Sequence, residues 1–140
     1  MDLKFETAIT VRKPVKTVFD AVASGPTMSR FFPDASSGDL GHGATVRWTF
    51  RDGESVEVRV TRFVARERIE IAWKANRVAY ETNAVIQCDE VSKGTRVTIT
   101  ESGWREDQTG LTSSYEHCSR WMHMLVCLKS YLECGIDLRS

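Results

Sequence analysis

Three histidines, the side chains that exchange protons most readily near neutral pH, are the first candidates for chemistry in this chain. His42 stands between two glycines in a polar loop, where exposure to solvent is usual. His123 falls on the polar face of a predicted helix, and we expect it at the surface. His117 lies one turn before Trp121, on the flank of the helix's apolar stripe, and could reach the mouth of a cavity. A boundary histidine bonded to a neighbour is the more ordinary explanation of that position.

Carboxylates are the second set that could do acid–base chemistry. Four of them lie on predicted neighbouring strands: Glu81, Asp89, Glu90 and Glu101. Catalysis would require two such groups to converge on a cavity. The alternation of the strands places most of them on the polar face, where a solvated charge is the ordinary state. We therefore assign no catalytic residue from the sequence.

The four cysteines show no paired CxxC spacing. Without converging ligands they predict no metal site, and no motif indicates a cofactor. Cys127 and Cys134 are expected on the helix face opposite the apolar stripe. The N-terminal residues MDLKFET do not resemble a signal peptide, and no stretch approaches the length of a membrane span. We therefore expect reduced thiols and a cytoplasmic protein that does not enter a membrane.

The overall charge narrows the classes of partner. The chain has 140 residues, with 19 basic and 19 acidic side chains, so its formal net charge is zero. This balance argues against nucleic acid and anionic membranes as partners, because a protein without net charge has no overall electrostatic attraction for them. The length predicts one domain, spanning residues 1–140, that is large enough to bury a core.

One long helix is predicted over residues 111–135, which contain no proline and no internal glycine. Its apolar positions repeat at spacings of three, four and seven, which is typical of one helical face. They are Leu111, Cys118, Trp121, Leu125, Leu128 and Leu132. Ser113 and Glu116 form a capping-box pattern, although a start one turn earlier fits equally well. Gly135 is expected to end the helix.

The preceding chain predicts mostly strands. The first strand alternates from Leu3 to Val11, and two short amphipathic helices follow it. A polar, glycine-rich loop over residues 34–43 comes next and is expected to be the most mobile segment. Further alternating runs, one of them over residues 78–91, make about six antiparallel strands in total, and Asp52-Gly53 predicts a hairpin. Each strand has one apolar face, and the long helix is the one element large enough to cover it. The predicted class is α+β, a curved sheet around the C-terminal helix.

Several segments together carry a resemblance to a known family. They are VRKPVKTVFDAV, FFPD, GHGATVRWTF, RERIEIAWK, KGTRVTITESGW and RWMHMLVCLKSYLECG. Their order resembles the family named after the activator of the heat-shock-protein-90 ATPase, within the START-like, birch-pollen-allergen-like superfamily. The resemblance implies a helix-grip fold, with an apolar pocket between sheet and helix. It is a weak guide to function, because the ligands of such proteins differ.

Inward-facing side chains and the residues near the expected cavity mouth are the candidate ligand-binding set. They are Phe31, Phe32, Trp48, Phe50, Val58, Ile71, Trp73, Val97, His117, Cys118, Trp121 and Leu125. A packed core explains most of them without a ligand.

Three functions remain open. The first is binding of a small hydrophobic molecule or lipid. The second is a cyclase or dehydratase that uses His117 with a carboxylate. The third is a protein-interaction role, with a chaperone or as a homodimer.

Overall fold

The structure is a computed structural model that describes residues 2–139. It contains one seven-stranded antiparallel sheet and three helices. In chain order the elements are β1 Leu3–Val11, α1 Val15–Ala23, α2 Gly25–Met28, β2 Ala35–Ser36, β3 Thr45–Thr49, β4 Ser55–Val64, β5 Arg68–Lys74, β6 Glu81–Val91, β7 Gly94–Trp104 and α3 Gln108–Cys134. The strands are ordered β1-β7-β6-β5-β4-β3-β2 across the sheet.

This is the helix-grip arrangement, in which a curved sheet holds the long helix α3 against its apolar face. The strand count exceeds the predicted six because β2, only two residues long, adds an edge to the sheet. It pairs with Trp48 and Thr49. The predicted strand over residues 78–91 starts later, at Glu81, because the residues before it form a loop.

The loop over residues 34–43 was expected to be the most mobile segment, but it is tied to the short helices. The Asp39 carboxylate accepts the Gly25 N–H at 2.7 Å, and Leu40 is buried. A side chain at Gly25 would have no room, because its Cβ would lie 2.5 Å from the carbonyl oxygen of Gly38. The loop is therefore packed closely against the connection between α1 and α2.

Helix α3 begins at the earlier of the two predicted positions. Asp107 is its N-cap and accepts the Gly110 N–H at 2.7 Å. Ser113 and Glu116 consequently do not cap the helix and are free to bond elsewhere. Gly135 ends it in the left-handed conformation, with φ of 69°, as predicted. None of the helices within residues 2–139 is long and apolar enough to cross a membrane.

The prediction for Cys127 was wrong, because this residue is fully buried while Cys134 is exposed. Helix α3 is buried on more than the side that faces the sheet. The C-terminal segment packs against the residues that follow α2, where Arg139 donates to the carbonyl oxygens of Ser29 and Pro33 at 2.7 and 2.8 Å. The apolar stripe that the spacing predicts is therefore narrower than the buried face of the helix.

Candidate functional site

A carboxylate lies at the centre of the interface between sheet and helix. Glu101 of β7 is fully buried. Its side chain points to the same face as those of Val97 and Ile99, because residues two apart along a strand share a face. The expectation of a solvated charge was therefore wrong for this residue. The same alternation that identified Val97 and Ile99 as inward could have identified Glu101.

Two tryptophans and a threonine donate hydrogen bonds to this carboxylate. The indole N–H groups of Trp73 and Trp121 approach Oε2 and Oε1, each at 2.8 Å. The Thr82 hydroxyl donates to Oε2 at 2.7 Å. An indole N–H can only donate, so the tryptophans require acceptors at these positions. An ionised carboxylate, which only accepts, satisfies all three donors, and this explains how the charge is tolerated in the core.

His117 of α3 supplies a fourth hydrogen bond. Its Nδ1 lies 2.9 Å from Oε1 and 3.0 Å from Oε2 of Glu101, and the ring is almost completely buried. On the other side of the ring, Nε2 accepts the backbone N–H of Asn76 at 3.4 Å. Acceptance at Nε2 leaves the ring proton on Nδ1, where it is donated to Glu101. The carboxylate therefore fixes which nitrogen of His117 carries the proton.

Aromatic rings fill the space around this pair. The ring centres of Trp73 and Trp121 are 5.3 Å apart, and His117 meets Trp73 and Trp104 edge-on, at 5.4 Å in both cases. Trp48 packs edge-on against Trp73 at 5.7 Å. Its Nε1 is the one buried side-chain nitrogen or oxygen within residues 2–139 without a hydrogen-bond partner. The centre of the interface is thus a packed core.

A cleft of about 810 Å³ opens at one end of this core. It lies between the β3–β4 hairpin, the loop over residues 75–80 and the N-terminal half of α3. Among the side chains that line it are Phe50, Val56, Trp73, Ala75, Tyr80 and His117. The volume is within the range of small-molecule sites. His117, one of these lining residues, connects the cleft to the buried Glu101 through its hydrogen bond.

Three of the predicted ligand-binding residues line this cleft: Phe50, Trp73 and His117. Eight others lie buried in the hydrophobic core: Phe31, Phe32, Trp48, Val58, Ile71, Val97, Trp121 and Leu125. Cys118 is half-buried. Of the remaining histidines, His42 and His123 are exposed, as predicted. A binding role for the twelve residues stays a prediction.

The loop over residues 75–80 is fastened to helix α3. The Glu116 carboxylate accepts from the Asn76 side-chain amide at 2.7 Å and from Arg77 Nε at 2.5 Å. The Ser113 hydroxyl donates to the Asn76 carbonyl oxygen at 2.8 Å. Sequence reasoning missed Asn76 altogether, because a loop residue gives no periodic signal. The capping-box pattern at Ser113 and Glu116 instead marks the anchor of this loop.

The rim of the cleft carries charges of both signs, most of which are paired; Lys74, which also lines the cleft, forms no ion pair with residues 2–139. Arg59 forms an ion pair with Glu81 at 2.7 Å. Arg120 lies 5.2 Å from the centre of the Phe50 ring and 3.9 Å from Glu54. This pairing favours a ligand with little net charge. Over residues 2–139 there is also no group of three side chains suited to hold a metal ion.

Comparison with known proteins finds a matching protein family. The model of the family described as "Activator of Hsp90 ATPase homolog 1-like protein" matches residues 12–133. No curated protein matches the chain.

Solved structures share the fold at low sequence identity. A protein from Staphylococcus saprophyticus has a TM-score of 0.84 and 26% identity, over 98% of this chain and 96% of that one. The Aha1 dimer from Colwellia psychrerythraea has a TM-score of 0.80 and 21% identity, over 95% and 98% of the two chains. DynU16, a protein in the dynemicin biosynthetic locus, has a TM-score of 0.88 and 22% identity. The match covers 100% of this chain and 51% of that protein.

Proposed function

The chain belongs to the family of Activator of Hsp90 ATPase homolog 1-like proteins, and on that premise we propose that it binds a small amphipathic molecule in the cleft beside His117. The family alone does not specify a ligand, since one fold hosts many functions. The proposal is therefore carried by the site, and above all by one observation. The cleft of about 810 Å³ is lined by His117, whose ring is hydrogen-bonded to the buried Glu101.

The chemistry of the walls supports an amphipathic ligand. Phe50, Trp73 and Tyr80 offer aromatic surface, and Val56 and Ala75 add aliphatic contacts. Such walls with a few polar groups are typical of small-molecule sites. His117 lines the cleft and is hydrogen-bonded to the buried carboxylate through Nδ1, as Trp73 is through its indole N–H. A molecule with an apolar body and one polar end matches this distribution.

Titration calorimetry with a panel of aromatic metabolites and lipids tests the proposal. We expect at least one compound to bind with one-to-one stoichiometry. Val56→Phe should weaken that binding about tenfold or more, because the larger ring occupies the cleft that Val56 lines. Val91→Phe is the matched control, since Val91 is exposed and outside the cleft. No binding across the panel, or equal binding by the two variants, would contradict the proposal.

The Glu101–His117 pair supports acid–base catalysis as a second candidate. A buried carboxylate that holds Nδ1–H leaves Nε2 without a proton. A substrate that displaced the 3.4 Å bond from the Asn76 N–H could transfer a proton to Nε2, which is how an imidazole works as a general base. Turnover of a ligand found by calorimetry, followed by mass spectrometry, distinguishes an enzyme from a binding protein. Conversion that disappears in His117→Gln while binding persists would favour the enzyme.

Location and assembly remain proposals as well. The four cysteines are free, which supports the proposed cytoplasmic location. One structural relative is a dimer, and a homodimer of this chain is a prediction that light scattering coupled to gel filtration would check. A chaperone partner likewise remains to be tested by co-purification.

A further inference from the structure

The hydrogen bond from Glu101 determines which ring nitrogen of His117, a lining residue of the cleft, can accept a bond. Glu101 holds the proton of His117 on Nδ1, at 2.9 and 3.0 Å from the two carboxylate oxygens. The opposite nitrogen, Nε2, therefore carries a lone pair and no proton. Trp73, Trp121 and Thr82 already donate to the same carboxylate. Glu101 therefore acts as an acceptor throughout and does not donate a proton to Nδ1 of His117. A ligand at this point meets an acceptor.

That acceptor is poorly satisfied. Its partner within residues 2–139 is the Asn76 backbone N–H at 3.4 Å, beyond the usual 2.7–3.2 Å range of N–H···O bonds in proteins. Asn76 belongs to the loop over residues 75–80, which forms one wall of the cleft. A stronger donor that entered the cleft could replace this long bond without breaking a regular element.

We propose that the cleft selects molecules with a hydroxyl on an aromatic or apolar body, and that this hydroxyl donates to Nε2 of His117 in place of the Asn76 N–H. The inference rests on the proposed binding function and specifies its ligand class. Trp73 and Phe50 provide the surface for the body of the ligand. Apart from Lys74, the ionic groups of the rim are paired, as Arg59 is with Glu81, so the cleft holds no cluster of free charge that would favour a strongly ionic ligand.

Three probes of nearly equal size test the donor requirement. 2-Naphthol carries a hydroxyl, 2-methoxynaphthalene keeps the oxygen without a proton, and 2-fluoronaphthalene keeps the size without either. We expect 2-naphthol to bind about 2- to 13-fold more tightly than the other two in calorimetry at pH 7, the range that one hydrogen bond supplies. In His117→Phe, which keeps a ring but removes Nε2, the three affinities should converge.

Nitrogen NMR of the unmodified protein gives an answer that does not depend on a variant folding. The His117 signals should report a proton on Nδ1, and Nε2 should shift with 2-naphthol but not with 2-fluoronaphthalene. Equal affinities for the three probes would overturn the hydroxyl inference and leave the binding proposal intact. A proton found on Nε2 would also overturn the inference. Binding of none of the probes would contradict both.

Discussion

Trp73 of the sheet and Trp121 of the long helix donate their indole N–H groups to opposite oxygens of one buried carboxylate, each at 2.8 Å. Glu101 therefore links the two layers of the fold by hydrogen bonds, in addition to the apolar contacts around it. His117 adds a third link to the same carboxylate from the helix. The polar centre of the candidate site is thus also part of what holds the helix in place.

Glu101→Gln should lower the free energy of unfolding by about 3–5 kcal/mol, the usual cost of breaking a buried charged network. The new amide is nearly the same size, but its nitrogen cannot accept a hydrogen bond. At least one of the donors Trp73, Thr82 and Trp121 would then be buried without a partner. Urea unfolding followed by circular dichroism gives the measurement.

Glu90→Gln is the matched control, because Glu90 is exposed on strand β6. Its effect should stay within about 0.5 kcal/mol, as for other surface substitutions. If the two variants unfold at the same urea concentration, the hydrogen bonds to Glu101 contribute nothing to stability.

Two tryptophans of the core allow a direct comparison of the same substitution. Trp73→Phe removes an N–H that donates to a carboxylate, whereas Trp48→Phe removes an N–H that has no partner. Both variants lose similar ring volume, and both tryptophans are buried. We expect Trp73→Phe to cost about 1–3 kcal/mol more than Trp48→Phe, since hydrogen bonds to charged groups are worth this much. Equal losses in denaturant unfolding would contradict the expectation.

Glu116→Ala should release the loop over residues 75–80 from helix α3. The variant loses the hydrogen bonds from Asn76 and Arg77, and Arg77 is held at a positive φ of 70° that non-glycine residues rarely adopt. We expect the amides of this loop to exchange with deuterium at least about tenfold faster, measured by mass spectrometry. Glu67→Ala, at an exposed turn elsewhere, should leave the loop unchanged. Unaltered exchange in Glu116→Ala would show that other contacts hold the loop.

Acid should weaken the docking of the C-terminal segment. The side chain of Arg139 donates to Asp137 at 2.9 and 3.0 Å and lowers the pKa of that carboxyl from 3.8 to about 2. A carboxyl whose folded pKa is lowered stabilises the docked form above its ordinary value. That contribution is lost as the pH falls from about 4 towards about 2.

Carbon NMR of the Asp137 carboxyl should titrate with a midpoint near 2, and in Arg139→Gln the midpoint should return towards the ordinary value. An ordinary midpoint in the unmodified protein would show that the ion pair does not form.

Three of the four thiols, those of Cys88, Cys127 and Cys134, should differ sharply in reactivity. Burial raises the pKa of Cys88 to about 12 and also raises the pKa of Cys127, so both stay protonated and shielded at pH 8. Cys134 is exposed. With iodoacetamide we expect rapid labelling of Cys134, and labelling of Cys88 and Cys127 only after unfolding in urea. In Cys134→Ser the rapid phase should vanish. Rapid modification of Cys88 in the folded protein would contradict its burial.

The sequence predicted the parts of the fold that depend on local periodicity and turn chemistry. Asp52-Gly53 makes the β3–β4 hairpin, with Gly53 at a φ of 85°, and Gly135 ends the last helix. The expected family and the helix-grip fold are confirmed. These features follow from residues close together in the chain, whose effects are local.

The chemistry of the site could be predicted only in part. His117 was identified from its place on the helix, but its partner was expected in solvent. Glu101 lies 16 residues away on another element. A carboxylate on an apolar strand face is stable only when donors from several elements converge on it, and their convergence is a property of the tertiary fold. Asn76 was not predicted either, because its contacts with helix α3 also depend on the tertiary fold.

The close packing of Trp48, Trp73 and Trp121, with ring centres 5.3 to 6.5 Å apart, has an optical consequence. The electronic transitions of indoles at such separations couple, so the three rings absorb as a set and should produce paired bands of opposite sign in circular dichroism. A ligand that tilts the Trp73 ring would change this coupling. The cluster therefore provides an intrinsic, label-free signal for occupation of the cleft.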